Sequence, residues 1–315
     1  MFYIVDIAKA LACLLIANFH SDILFPEELS LLAFGGDVGN NIFFLVSGFA
    51  LWPSASKCES KDFGKWYLKR VLRLLPMLAF FYLVNVLSGG VVIDSFSDAV
   101  RAFIFPTMYW FTGAIILFYF LFFILEKYTN DYFRIGLILL LIILHLYWDN
   151  LSTEIYFIGF IAMLTGAGIR KRLPVLTANT KAIKTIPLSF FVTGLFYVIL
   201  KLMRGKGLEV LGFIHLGIGI LTICLAAEII LWGSAYEKSI CGFFQKHSKA
   251  FSIIKKLSES TLAVYLLMGV NDRILMRAIG NYLIFPVSYI INMAISLLGA
   301  YAITVIDKKL RGIKK

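Results

Sequence analysis

Residues 208–232 read LEVLGFIHLGIGILTICLAAEIILW, and between Glu209 and Glu228 they hold no Asp, Glu, Lys or Arg. A helix rising about 1.5 Å per residue needs about 20 such residues to cross a hydrocarbon slab of about 30 Å. Similar stretches recur along all 315 residues, separated by short polar connections. They fall at about Ile4 to His20, Val38 to Trp52, Val71 to Val92, Val100 to Leu125, Phe133 to Trp148, Ile155 to Ile169, Thr185 to Met203, Leu208 to Trp232, Leu257 to Met276 and Tyr282 to Ile306. Barrel strands would alternate in polarity at every second residue, and these runs do not. Composition agrees, with 60% hydrophobic and 16% charged residues against about 45–50% and 25% in soluble domains. The reading is an all-α polytopic membrane protein with about ten transmembrane helices. The second run is short and flanked by Gly35, Gly36 and Gly39, which suits a tilted or re-entrant segment as well as a full crossing.

The opening MFYIVDIAKA has neither the basic leader nor the small-residue cleavage site of a secretory signal, so the first run is expected to stay as a span. Of the 30 Lys and Arg, 24 fall on one side if the connections alternate from a cytoplasmic N-terminus. The other six are Arg101, Lys201, Arg204, Lys206, Arg273 and Arg277. The first outer loop holds Asp22, Glu27, Glu28 and Asp37 with no basic residue. By the positive-inside rule both termini are cytoplasmic and the span count is even. The Lys201 to Lys206 turn runs against the trend. A net charge of +11 placed this way speaks for a membrane and against nucleic acid. Cys13, Cys58, Cys224 and Cys241 follow no CxxC or regular spacing, so they read as reduced packing residues with no disulfide framework and no metal site. Without an internal repeat or a low-complexity linker, residues 1–315 read as a single transmembrane domain. The chain stops soon after its last span, so no attached soluble domain is expected.

Asp6, Lys9 and His20 are the strongly titratable groups of the first span. Eleven residues at about 100° each bring Lys9 and His20 within about 20° of one helix face, separated by about 16 Å along the axis. Asp6 stands three residues before Lys9, near enough to pair with it. A charge within a span costs about 2.5–3.5 kcal/mol, so such groups usually face a bundle interior or a polar cavity. The plainer reading has Asp6 and Lys9 reaching the interface as anchors and His20 ending the helix. His145 and His215 lack a spaced partner and read as packing residues. Glu228 is expected to reach the interface near the inner end of its span.

Taken together, DIAKALACLLIANFH (6–20), GNNIFFLVSGFAL (39–51), WYLKRVLRLLPM (66–77) and YWFTGAIILFYF (109–120) resemble the acyltransferase 3 family of membrane acyltransferases in order and spacing. In that family the first span usually carries Asp-x-x-Arg and then His. The second resembles FFxxSGF, and the third opens on a basic cluster followed by Pro. Here the corresponding residues are Asp6, Lys9 and His20, then Phe43, Phe44, Ser47, Gly48 and Phe49, then Lys69, Arg70, Arg73 and Pro76. LSESTLAVYLLM (257–268) is similar to a late family segment, keeping Tyr265 and placing Met268 where His is common. Lys9 keeps the charge of the usual Arg without its planar fork, and Asn41 stands where the family often has Asp.

The resemblance implies transfer of an acyl group, by family default acetyl, from cytoplasmic acyl-CoA to a hydroxyl of a cell-surface polysaccharide, O-antigen or lipid-linked sugar. It implies a bacterial inner membrane and no metal. In that picture acyl-CoA is the co-substrate, and Lys69, Arg70 and Arg73 hold its phosphates, although a basic cluster there also serves as a positive-inside anchor. His20, with an ordinary pKa of about 6.5, acts as general base or as transient acyl carrier. Lys9 steadies developing negative charge and Asp6 positions Lys9. Ser47, Asn41, Tyr265 and Trp110 are candidates to line the substrate cavity. Ser47 with Gly48 equally suits a close approach of helices, Trp110 an interfacial belt, and Tyr265 core packing. Two rival readings remain. A transporter or flippase for polysaccharide or a small solute would be expected to show broken helices in two related halves, which the sequence lacks. A membrane assembly subunit would leave the Lys9 to His20 spacing as coincidence.

Overall fold

Long apolar runs satisfy every backbone group internally when they coil, so helices are the economical state of this chain in lipid. The structure, a computed structural model, describes residues 2–87, 95, 97, 110–147, 151–205, 213–271 and 285–312. Among the described residues the chain forms helices and no strands. The α-helices are α1 Tyr3–Phe19, α2 Gly36–Lys57, α3 Phe63–Leu87, α4 Trp110–Tyr128, α5 Asp131–Tyr147, α6 Leu151–Ala178, α7 Thr180–Gly205, α8 Phe213–Ala235, α9 Glu237–Lys246, α10 Ser248–Asn271 and α11 Val287–Leu310. All but α9 overlap the ten apolar stretches read from the sequence, with ends that differ by up to about ten residues. Six of them, α2, α3, α4, α7, α8 and α11, are long and apolar enough to cross a membrane. The chain is therefore an all-helical, multi-pass membrane protein. A total of about ten requires α1, α5, α6 and α10 to cross as well, and α1 and α5 have 17 residues each, about 25 Å of helix. Arg101, Lys206, Arg273, Arg277, the span edges at Val92, Val100, Trp148, Leu208, Met276 and Tyr282, and the side chain of His145 lie outside the described residues.

The chain packs as two compact units. The first comprises Met1–Ala8, Asp37–Phe63 and Phe118–Ser248. Its α2 and α6 approach at backbone distance: a Cβ on Gly48 would overlap the carbonyl oxygen of Met163, and a Cβ on Gly166 would overlap that of Leu45. Small residues permit this close packing in a membrane, where apolar burial gives no driving force of its own. Around the seam Phe44, Phe118 and Phe160 pack as tilted rings with centroids 5.1 and 5.0 Å apart. Asn41 Nδ2 donates to Thr222 Oγ1 at 2.6 Å, tying α2 to α8.

At one end of this unit Lys201 of α7 forms an ion pair with Asp37 of α2. The basic connections gather at the other end. Trp52 Nε1 donates to Glu126 at 2.9 Å, Glu126 pairs with Arg134 at 2.9 Å, and Lys127 Nζ donates to the Cys58 carbonyl at 2.7 Å. Arg134 also donates to the carbonyls of Leu125, Glu126 and Thr129, so one guanidinium closes the C-terminus of α4. Glu237, opening α9, accepts from the backbone N–H groups of Tyr3 and Ile4 at 2.5 and 3.3 Å, a carboxylate set against the positive end of α1.

The second unit comprises Lys9–Gly36, Gly64–Leu117 and Lys249–Lys315. Within it Tyr67 donates to the Ile116 carbonyl at 3.3 Å, joining α3 to α4, and Lys308 of α11 pairs with Glu259 of α10. On α11, Ser288, Asn292, Ser296, Ala300 and Thr304 repeat every four residues and are all buried. Larger apolar groups, among them Ile290, Ile295 and Leu298, are exposed instead, the polarity expected of a helix whose outer face meets lipid.

Candidate functional site

Helix α1 carries Asp6, Lys9 and, just past its end, His20, whose N–H still donates to the Ile16 carbonyl at 3.0 Å. The helical geometry therefore reaches His20, and the two basic groups share a face about 16 Å apart along the axis. That face is the buried one. Ala12, Cys13 and Ile16, which lie within about 60° of the line from Lys9 to His20, are 0%, 1% and 3% exposed, whereas Leu11 and Leu14 on the opposite side are each 37% exposed. Asp6, Lys9 and His20 are themselves half-buried. Each engages neighbours, so none is a stray charge in lipid.

The backbone around His20 is held from both sides, by residues that sequence reasoning missed. Asn18 Nδ2 donates to the carbonyls of Leu32 and Phe34 at 2.8 and 3.0 Å, and its Oδ1 accepts from Tyr289 Oη at 2.8 Å. Ser21 Oγ donates to the Ala17 carbonyl and accepts from Asn292 Nδ2 at 3.0 Å. Two positions on α11 thus pin the residues that flank the imidazole. Asn292 is fully buried, and its Oδ1 has no hydrogen-bond partner among the described residues. Two short 3₁₀ turns, Asp22–Leu24 and Glu27–Leu32, bring the chain back over this end. Phe25 packs against Phe285 and Tyr289 with centroids 5.2 and 5.1 Å apart.

The basic cluster opens α3. Lys69 and Arg73 are exposed, four residues apart on one face, and Lys65 extends the stripe by another turn. Arg70 points differently: its guanidinium lies 3.7 Å from the Trp66 ring centroid and Nη1 donates to the Trp66 carbonyl at 2.6 Å. The exposed cations are thus Lys65, Lys69 and Arg73. Four-residue spacing from Lys69 was the signal that could have found Lys65.

The cavity candidates divide between the units. In the second, Tyr265 is buried and its Oη accepts the backbone N–H of Phe111 at 3.3 Å, one residue after the half-buried Trp110. It thereby satisfies a donor in the first turn of α4. In the first, Ser47 is half-buried beside the Gly48 seam, and Asn41 is 5% exposed and engaged with Thr222. Met268 is fully buried. Glu228, on α8, accepts hydrogen bonds from Ser189 and Thr193 of α7, and Ser189 is exposed.

Comparison with known proteins adds one finding. The model of the acyltransferase 3 family, described as an acyltransferase domain, matches residues 2–306. No curated protein and no solved structure matches the chain. With the match spanning nearly the whole chain and the first-span triad, the glycine seam and the basic stripe all inside it, this chain belongs to the acyltransferase 3 family.

Proposed function

We propose that this protein transfers an acyl group, acetyl by family default, from cytoplasmic acyl-CoA to a hydroxyl of a cell-surface polysaccharide, O-antigen or lipid-linked sugar. It works in a bacterial inner membrane with both termini cytoplasmic. Family membership supports acyl transfer. The observation that carries the finer reading is the position of Lys9 and His20 on the buried face of one helix. The cations Lys69 and Arg73, with Lys65 beside them, meet the phosphates of the donor as mobile point charges and one open fork. Arg70, turned onto Trp66, adds field more than contact.

In the transfer step the acceptor oxygen attacks the thioester carbonyl carbon. A C–O bond forms, the C–S bond breaks, and the hydroxyl proton passes to the His20 imidazole and from there to the departing thiolate. Lys9, which Asp6 would position from three residues before it, lowers the cost of negative charge developing on the acyl donor. If His20 carries the acyl group itself, intact-mass measurement after incubation with acyl-CoA alone finds one added acyl mass on the peptide bearing it. The deciding experiment compares surface glycan from cells with and without the gene by mass spectrometry. A lost acyl mass supports the proposal, whereas altered glycan abundance with intact substitution indicates transport. In the same assay His20→Ala abolishes acylation while the protein inserts and accumulates normally. Acylation persisting at the wild-type level would remove His20 from the chemistry.

A further inference from the structure

A groove of about 300 Å³ lies between α5 and α6 of the first unit, apart from the first-span residues. Its walls are apolar: Ile135 and Ile138 of α5, Leu164, Ala167 and Leu176 of α6. Its lip is charged, with Arg134, Lys171 and Arg172 against Glu126 and Asp131. Arg134 is engaged with Glu126 and the end of α4. Lys171 and Arg172 share Asp131 at 2.9 and 3.1 Å. The Lys171 hydrogen bond holds the Asp131 carboxyl below the usual range, so this carboxylate fixes both cations in place across physiological pH. The side chain of Arg172 is 59% exposed, which leaves part of its fork open to solvent. Three cations against two carboxylates leave one positive charge, and residues 155–208 contain no acidic residue to offset it.

From the groove an apolar path continues along the outside of α5. Ile135, Leu139 and Ile143, one turn apart, are 51%, 55% and 50% exposed, a track of about 12 Å. A cationic lip at the end of two helices that the sequence reads as spans, above a chain-shaped apolar track, matches a phosphate headgroup with its acyl tail, and basic pockets between spans are where such headgroups bind. Free phosphate or a soluble nucleotide would leave the track unused.

We propose that this groove seats an anionic phospholipid, its phosphate at Arg172 and Lys171 and one acyl chain along Ile135, Leu139 and Ile143. The test uses the detergent-purified full chain, washed free of lipid, and follows its thermal unfolding midpoint with dioleoylphosphatidylglycerol, dioleoylphosphatidylcholine, inorganic phosphate or coenzyme A. Phosphatidylglycerol raises the midpoint by several degrees, phosphatidylcholine by less than half as much, and the two soluble compounds not at all. A Cβ at Gly168, which lines the groove, meets nothing within 4 Å, so Gly168→Leu fills the space and removes the lipid response. Arg172→Gln makes the two lipids equivalent. If Gly168→Leu accumulates poorly, Arg172→Gln decides alone. Equal responses to both lipids in the wild type, a larger response to phosphate or coenzyme A, or an undiminished preference in Arg172→Gln overturns the proposal.

Discussion

At the scale of single residues, the backbone that carries the imidazole proposed for chemistry is held by the contacts of Asn18 and Ser21 on either side of it. Tyr289 and Asn292 hold that pair from 271 positions away in the chain. Tyr289→Phe removes one hydroxyl and little volume. The lost hydrogen bond to Asn18 costs about 1 kcal/mol, a small shift of the unfolding midpoint. Its effect on catalysis is larger, because slight misplacement of a reacting group is amplified in the barrier. The expected result is about a tenfold loss in acyl-transfer rate with KM for acyl-CoA unchanged, measured on purified enzyme. A rate loss no greater than the stability loss explains would make the Asn18 to Tyr289 contact merely structural. His20 and Lys9 were legible in the sequence because titratable groups stand out against an apolar run and helical periodicity fixes their mutual angle. Asn18, Ser21, Tyr289 and Asn292 were not. Nothing local distinguishes a serine or asparagine that finds a distant partner from one that faces solvent.

Among the helices, the seam between α2 and α6 tests how far small residues dictate packing. The run FFLVSGF suggested a close approach at Ser47 and Gly48, and the reciprocal positions of Gly48 and Gly166 show where it occurs. Gly48→Leu drives a side chain into a backbone carbonyl of α6, which cannot give way as a flexible side chain would. The helices must separate, at a cost of about 2–3 kcal/mol or more. The predicted outcome is a lower unfolding midpoint and poor accumulation in membranes. Gly113→Ala is the control: nothing lies within 4 Å of a Cβ there, and α4 gains about 0.5–1 kcal/mol in helix propensity. Equal stability of Gly48→Leu and wild type would mean that the seam is not a packing determinant. The location of helices was readable because each is an unbroken apolar run. The face each presents was less so: nothing local in the sequence shows that Glu228 accepts from Ser189 and Thr193 of α7.

For the whole molecule, charge distribution is the strongest argument about orientation, and the first unit gives it internal support. Lys201, which breaks the positive-inside trend, is paired with Asp37. One of the three cations of the Lys201 to Lys206 turn is therefore neutralised, at the end opposite the contacts of Lys127, Arg134, Lys171 and Arg172. A neutralised lysine exerts little pull on orientation, which lessens the charge set against the rule. Cys58 and Cys241 are half-exposed thiols in connections assigned to the cytoplasm, and Glu28 is an exposed residue of the first outer loop. A membrane-impermeant maleimide applied to spheroplasts is expected to leave Cys58 and Cys241 unmodified until the membrane is opened, while an added Glu28→Cys reacts at once. Peptide mapping by mass spectrometry reads which thiol carries the label. Cys58 reacting in sealed spheroplasts would invert α2 and α3. The stripe of Lys65, Lys69 and Arg73 proposed to meet the donor would then face away from the cytoplasmic pool of acyl-CoA, and the proposed reaction would lose its donor even with every side chain in its present place.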